Sequence, residues 1–102
     1  MVSVSLGLFN DFSLDQNYPN PFNPATIIKY NLPEESTVQI MVVNILGEVV
    51  TELINDVESG GSHQKIFNAS NITSGIYFVK MNATTLNSGK AYSSMIKMIY
   101  MK

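Results

Sequence analysis

The sequence predicts an all-β domain, an antiparallel sandwich of six to seven strands. Strand-like segments recur roughly every 8–12 residues, the spacing that is typical of sandwiches and barrels. Apolar and polar residues alternate within several of these segments, and no segment shows a convincing helical period. The chain has 102 residues, enough for one domain with a core of its own.

The strand signals fall at residues 26–32, 37–46, 48–54, 63–68, 76–83 and 91–101, with a further candidate at 8–14. In the first of these segments Ile28, Tyr30 and Leu32 share one face. The second segment is β-branched and almost wholly apolar, as expected of a strand in the middle of a sheet. In the fifth, Tyr77 and Val79 share a face, so we expect both side chains in the core.

Glycine and proline mark the turns between these strands. Gly47 separates the second and third segments and predicts a hairpin turn with positive φ. A second hairpin turn is predicted at 86–90, where Asn87 and Gly89 can adopt positive φ. Residues 17–24, which we call the proline–asparagine block, contain three prolines and three asparagines. Because proline lacks the backbone donor, the block should be an ordered extended segment, not a helix or a central strand.

Composition excludes several classes of function. The formal net charge is −2, all six cationic residues are lysines, and no basic cluster is visible, so nucleic-acid binding is not expected. The absence of cysteine excludes disulfides and thiolate metal sites. No apolar run reaches the roughly 18 residues of a transmembrane helix, so no transmembrane segment is predicted.

Catalytic and metal-binding patterns are weak. His63 is the sole histidine and is expected as an exposed residue at a strand start. Carboxylates are scattered, with no nucleophile, base and orienting group together, so we predict no enzyme activity and no cofactor. Asp11, Asp15 and Asn17 could offer oxygens to calcium. We favour the interpretation that their side chains form turns, and we predict no metal site. The aromatic residues are expected mainly in the core, although Tyr18, Tyr92 and Tyr100 could be exposed.

Residues 16–26 (QNYPNPFNPAT) resemble the opening of the type A C-terminal sorting domain of the type IX, or Por, secretion system. Further blocks follow in the family's order: 28–33 (IKYNLP), 44–50 (NILGEVV), a glycine-containing loop before His63, 75–78 (GIYF), and a terminal apolar run ending in Lys102. The resemblance extends over about residues 12–102. The chain departs from the family at Phe67-Asn68, where a Trp-Asp pair is common, and at Lys65, a position that is usually apolar.

The resemblance implies an immunoglobulin-like fold, related to modules of flagellar hook-capping proteins. It divides the chain into an N-terminal lead-in or artificial start at 1–11, which could hold part of a first strand, and the sorting domain at 12–102. It also implies a non-catalytic role: directing a larger parent protein, by way of the periplasm, to the cell surface or the medium. The implied partners are proteins of the secretion machinery and upstream domains of the parent chain.

The candidate recognition residues are the block and the other family positions: Asn17, Tyr18, Pro19, Asn20, Pro21, Phe22, Asn23, Pro24, Gly47, Gly75, Tyr77 and Lys102. The block could bind a partner, or Tyr18 and Phe22 could pin the entry segment across the sandwich; both readings stay open. The terminal strand, 98–102, is a second candidate, as an edge available for pairing. Two other functions remain: a carbohydrate-binding or adhesive accessory module of a secreted enzyme, and a structural assembly module.

Overall fold

The computed structural model describes residues 11–102 and shows seven strands and no helix in that part of the chain. The strands are β1 (Ser13–Leu14), β2 (Ala25–Leu32), β3 (Ser36–Val43), β4 (Val49–Glu58), β5 (Gly61–Asn68), β6 (Gly75–Thr85) and β7 (Ala91–Tyr100). The predicted all-β sandwich is confirmed. The candidate strand at 8–14 is represented by β1, and its residues 8–10 lie outside the described residues, as does nearly all of the predicted lead-in. Nothing within 11–102 has the helical length and apolarity needed to span a membrane.

The strands form two sheets, one with the order β1-β2-β5 and one with the order β4-β3-β6-β7. All strand pairs are antiparallel. Alternate residues of each sheet point into the space between the two, as the sequence alternation predicts. From β2 these are Ile28, Tyr30 and Leu32, each with no exposed surface. From the larger sheet they include Val38, Ile40, Val42, Tyr77, Val79, Met81, Met98 and Tyr100.

The turn between β3 and β4 begins earlier than the sequence suggests. The predicted segment 37–46 ends at Val43, because the Asn44 side chain captures the backbone that follows. Its Oδ1 accepts hydrogen bonds from the N–H groups of Leu46, at 2.9 Å, and Glu48, at 3.0 Å. Gly47 completes the turn with φ of 83°, the positive value predicted for it. The apolar Ile45 and Leu46 are therefore exposed in the turn and do not extend the strand.

The connection from β4 to β5 is tighter than predicted. The segment 48–54 continues to Glu58, and the segment 63–68 begins at Gly61, which leaves two residues between the strands. Gly60 lies against the chain at Glu34, where an added Cβ would stand 2.9 Å from the Glu34 Cα. A side chain at this position would collide with backbone, so the short connection depends on glycine.

Candidate functional site

The proline–asparagine block joins the two sheets along one side of the sandwich. On the side of the larger sheet it runs beside β7, the edge strand. The N–H of Phe22 donates to the carbonyl of Ile99 at 3.0 Å, and the N–H of Met101 donates to the carbonyl of Phe22 at 3.1 Å. The Asn20 Oδ1 accepts from the N–H of Ile99 at 2.9 Å. The block thus occupies the outer hydrogen-bonding positions at the C-terminal end of β7.

On the side of the smaller sheet the block is bonded to β2 and to the chain after β5. Tyr18 and Ile27 exchange two backbone hydrogen bonds, of 3.0 and 2.9 Å. The carbonyl of Pro24 accepts from the N–H of Ala69 at 2.8 Å. Proline contributes acceptors without donors, so the exposed face of the block has few N–H groups left without a partner.

Asn17 anchors the start of the block from inside the protein. Only 2% of its surface is exposed, and its Nδ2 donates to the Thr26 Oγ1 at 2.9 Å and to the Pro19 carbonyl at 3.1 Å. The Thr26 hydroxyl donates to the same carbonyl at 2.8 Å. Because buried polar groups are costly unless bonded, this closed network fixes the conformation of the block. The Oδ1 of Asn17 accepts from the Gln16 Nε2 at 2.7 Å, so both ends of the Asn17 amide are bonded within the protein.

Phe22 anchors the block to the core. Its ring is 2% exposed and stacks on Tyr100, with ring centroids 5.3 Å apart and planes inclined by 22°. It meets Phe67 edge-on at 6.0 Å. Offset stacks and edge contacts of this kind add to the energy of burial. The ring therefore ties the block to the last strand of one sheet and to β5 of the other.

The terminal strand is not the open edge that the sequence suggested. Its outward backbone groups at Ile99 and Met101 are bonded to the block. Gln16, just before the block, adds a hydrogen bond from its Nε2 to the Lys97 carbonyl at 2.7 Å. Tyr100, one of the three tyrosines that the sequence left as candidates for exposure, is 2% exposed because Phe22 covers it. A partner strand would have to displace the block to pair there.

The other candidate residues gather at the same end of the sandwich. Tyr77 points inward and its hydroxyl donates to the Thr73 carbonyl at 2.7 Å. Gly75 begins β6 opposite Tyr100, and the N–H of Lys102 donates to the Ser74 Oγ at 3.2 Å. A shallow depression at this end is lined by Gly75, Tyr77 and Lys102 together with Asn44 and Ile45, three and two residues before Gly47. The proline–asparagine block reaches the same end, where Phe22 pairs with Tyr100, so four segments that are separate in the sequence meet in one region.

Exposure divides the candidates into a buried and an exposed group, and Gly75 is half-buried between them. Asn17, Phe22 and Tyr77 are buried and support the fold. The exposed candidates are Tyr18, Pro19, Asn20, Pro21, Asn23, Pro24, Gly47 and Lys102. Tyr18 stands out among them, because 78% of its surface is exposed although its backbone is bonded to β2. The exposed group is the part of this region that a partner can reach.

A second polar cluster lies between the sheets at the opposite, β4–β5 side. The hydroxyl of Tyr30 donates to Glu58, and the Glu58 oxygens stand 3.9 Å from His63 Nδ1 and 3.9 Å from Lys65 Nζ. Burial raises the pKa of Tyr30 above its usual range, and the hydrogen bond to Glu58 and the negative charge of Glu58 raise it further. The phenol therefore stays protonated as a donor. His63 is half-buried against the Tyr30 ring, with centroids 5.4 Å apart, and not an exposed strand-start residue.

The family model for secretion system C-terminal sorting domains matches residues 16–96. The chain belongs to this family. Membership makes the chain a C-terminal sorting signal of type IX secretion, a signal that sends proteins through the periplasm to the cell surface or the medium. The match begins at Gln16, the residue that bonds to β7, and it includes the whole block.

Among solved structures, the sorting domain is similar to CopC from Methylosinus trichosporium OB3b, with a TM-score of 0.59 and 13% sequence identity. The similarity covers 88% of this chain and 93% of that protein. At this identity the likeness concerns the fold alone. No curated protein matches the chain significantly.

Two residues of the sorting domain's site were not among the candidates. Gln16 reaches across to β7, and Thr26 closes the Asn17 network with no more than 1% of its surface exposed. Both residues flank the block within residues 16–26, so the family resemblance of that segment was the signal that could have identified them.

Among residues 11–102 no three histidine or carboxylate side chains converge as metal ligands.

Proposed function

We propose that this chain is a non-catalytic module that directs a larger parent protein through the type IX secretion system to the cell surface or the medium. The match of the sorting-domain family over residues 16–96 carries the proposal. The parent would supply its own activity in upstream domains, and the sorting module would span residues 12–102. The module would bind proteins of the secretion machinery.

The placement of the family residues supports recognition of the folded domain. Asn17 and Phe22 hold the block rigid from below, while Tyr18, Pro19 and Asn23 face solvent above it. A rigid, exposed segment loses little conformational entropy when a partner binds it. We therefore assign the contact role to the exposed candidates and a supporting role to the buried ones.

The polar chemistry of the described residues fits a non-catalytic role. The most perturbed titratable group is Tyr30, whose raised pKa keeps it protonated and bonded to Glu58. A phenol in this state is a hydrogen-bond donor and not a base or a nucleophile. The competing function, a carbohydrate-binding accessory module, gains no support from the aromatic residues: Phe22, Phe67, Tyr77 and Tyr100 are buried, and among residues 11–102 Tyr18 is the one strongly exposed aromatic residue.

The test is a passenger experiment in a bacterium with a type IX system. A signal peptide and a fluorescent protein are placed before the full chain, and the fluorescence in the medium and on the cell surface is compared with that of the passenger alone. We expect export only with the full chain. Retention of a folded fusion in the periplasm would contradict the proposal.

Deleting the whole terminal run would not be a clean control. Met98 has no exposed surface and Tyr100 has 2%, so removing residues 98–102 would open the core. Removing Lys102 alone leaves the core intact, because this residue is exposed and only its N–H bonds to Ser74. Loss of export from this shorter deletion would identify a recognition effect and not a folding effect.

A further inference from the structure

The outer face of the four-stranded sheet has two unlike halves. Strand register places Val49, Val43 and Phe78 side by side across β4, β3 and β6. Ile76 and Ile99 are paired across β6 and β7 at the same end. These five residues form what we call the apolar outer patch. Toward the other end the same face becomes polar, with Gln39, Asn55, Asn82 and Ser93 in register.

The apolar outer patch is separate from the core. Val43 is 4% exposed but does not belong to the core cluster, because it packs on the outside of the sheet. Val49 and Ile76 are 58% and 43% exposed. A contiguous exposed apolar patch commonly marks a binding site, whereas single apolar residues scattered over a protein surface do not.

Two lysines border the patch. Lys97 lies directly opposite Phe78 on β7, and Lys80 follows Phe78 on the same face of β6. Among residues 11–102, neither ammonium group has a carboxylate oxygen within 4.0 Å. The protein as a whole has a formal net charge of −2. The patch therefore combines apolar surface with positive charge that the described part of the chain does not neutralise.

We propose that the apolar outer patch is the surface by which this sorting domain binds a protein of the secretion machinery. The partner it fits has an apolar surface with carboxylates placed opposite Lys80 and Lys97. The inference rests on the proposed function and names a contact surface for it. The patch adjoins the proline–asparagine block, because Ile99 of the patch bonds to Phe22 and Asn20 of the block.

The charge pattern favours a protein over the other possible occupants. Anionic membranes are bound by clusters of roughly 4–8 basic residues, and this face offers Lys80 and Lys97. A second copy of the chain would bring the same two lysines to the contact, so that positive charges would face each other. Within the strands, Glu52 is the residue that offers a carboxylate on this face. In a contact with a different protein, carboxylates of that partner placed opposite the two lysines would fix the register of the contact and speed association.

The test compares matched surface variants of the passenger fusion. The patch variants are Val49→Ser with Ile76→Ser, and Lys80→Glu with Lys97→Glu. The control is Ile66→Ser with Lys29→Glu, which changes residues of the same types on the outer face of the smaller sheet, where Ile66 is 67% exposed. Urea unfolding of each isolated domain verifies that the fold is kept.

We expect each patch variant to lower the exported fraction by roughly tenfold or more, as loss of a central contact does, with the control close to the unchanged chain. Wild-type export by both patch variants, or an equal loss in the control, would overturn the inference while leaving the proposed function intact. Failure of the unchanged fusion would instead overturn the proposed function.

Two further measurements address the other occupants. Binding of the isolated domain to vesicles of phosphatidylcholine and phosphatidylglycerol, lost in the Lys80→Glu, Lys97→Glu variant, would overturn the assignment in favour of a membrane. A dimer in light scattering that Val49→Ser with Ile76→Ser dissociates would overturn it in favour of a second copy. We expect a monomer without vesicle binding.

Discussion

Replacing Phe22 with alanine tests whether the proline–asparagine block is part of the folded core. The ring is 2% exposed and contacts Tyr100 and Phe67 at centroid distances of 5.3 and 6.0 Å. Removing a buried phenylalanine side chain costs about 3–5 kcal/mol, because the contacts are lost and a cavity is left. The backbone hydrogen bonds to Ile99 and Met101 remain possible with alanine, so the loss reports the ring.

This cost is a large share of the stability of a small domain, which is about 5–15 kcal/mol in total. The assay is urea unfolding of the isolated chain, supported by thermal unfolding, in which the midpoint should fall by at least roughly 12 °C. Tyr18→Ala is the matched control, since Tyr18 lies in the same block but is 78% exposed. It should change the free energy of unfolding by no more than about 0.5 kcal/mol. A cost below about 1 kcal/mol for Phe22→Ala, or equal costs for both variants, would refute the packing described here.

Three further changes have expected outcomes in the same unfolding assay. Asn17→Ala should cost about 1–3 kcal/mol, because the buried Thr26 Oγ1 loses the N–H group that donates to it and the Pro19 carbonyl loses one of its two donors; an unchanged midpoint would show that the network does not hold the block. Gly47→Ala should cost about 1–2 kcal/mol, since φ of 83° is unfavourable for alanine although no atom lies within 4 Å of the added Cβ; a gain in stability would contradict the turn geometry. Burial and Glu58 raise the pKa of Tyr30 above its ordinary value of about 10, so the folded state keeps the proton that the unfolded state loses. The contribution of Tyr30 to the free energy of unfolding should therefore be constant below about pH 10 and should fall above that pH by up to about 1.4 kcal/mol per pH unit. Tyr30→Phe should remove this part of the loss of stability at alkaline pH. The same dependence of stability on alkaline pH in the variant and the unchanged chain would exclude the effect.

Alternation of side chains made the strands predictable. Ile28, Tyr30 and Leu32 share a face in the sequence pattern and are all fully buried in the structure. Such patterns report which residues point inward, because the strand period of two is a local property of the backbone. The hairpin at Gly47 was also visible, since its conformation depends on glycine at that position.

Strand ends were less predictable because polar side chains decide them locally. Ile45 and Leu46 continue an apolar run, but the Asn44 side chain bonds to the backbone ahead of them and ends β3. Residues 55–58 are mostly polar and yet belong to β4. A strand at the edge of a sheet tolerates polar side chains, and the sequence does not say which strand will be at the edge.

The role of the block depended on contacts between residues distant in the chain. The family resemblance located the block, and the choice between recognition and pinning was left open. Phe22 and Tyr100 are far apart in sequence, so no local pattern shows that one covers the other. For this reason the sequence left open whether Tyr100 is exposed or buried. The pinning role is observed for Phe22, and the contact role of the exposed members stays a prediction.

The most direct test of the sorting function compares this chain with a protein of similar fold that shares few of its residues. CopC from Methylosinus trichosporium OB3b meets that condition, at a TM-score of 0.59 and 13% identity. Each is fused behind the same signal peptide and fluorescent passenger, and the exported fluorescence is measured in a bacterium with a type IX system. We expect export with this chain and periplasmic retention with CopC. Equal export of both fusions would show that any such sandwich suffices, and retention of both would contradict the sorting function itself.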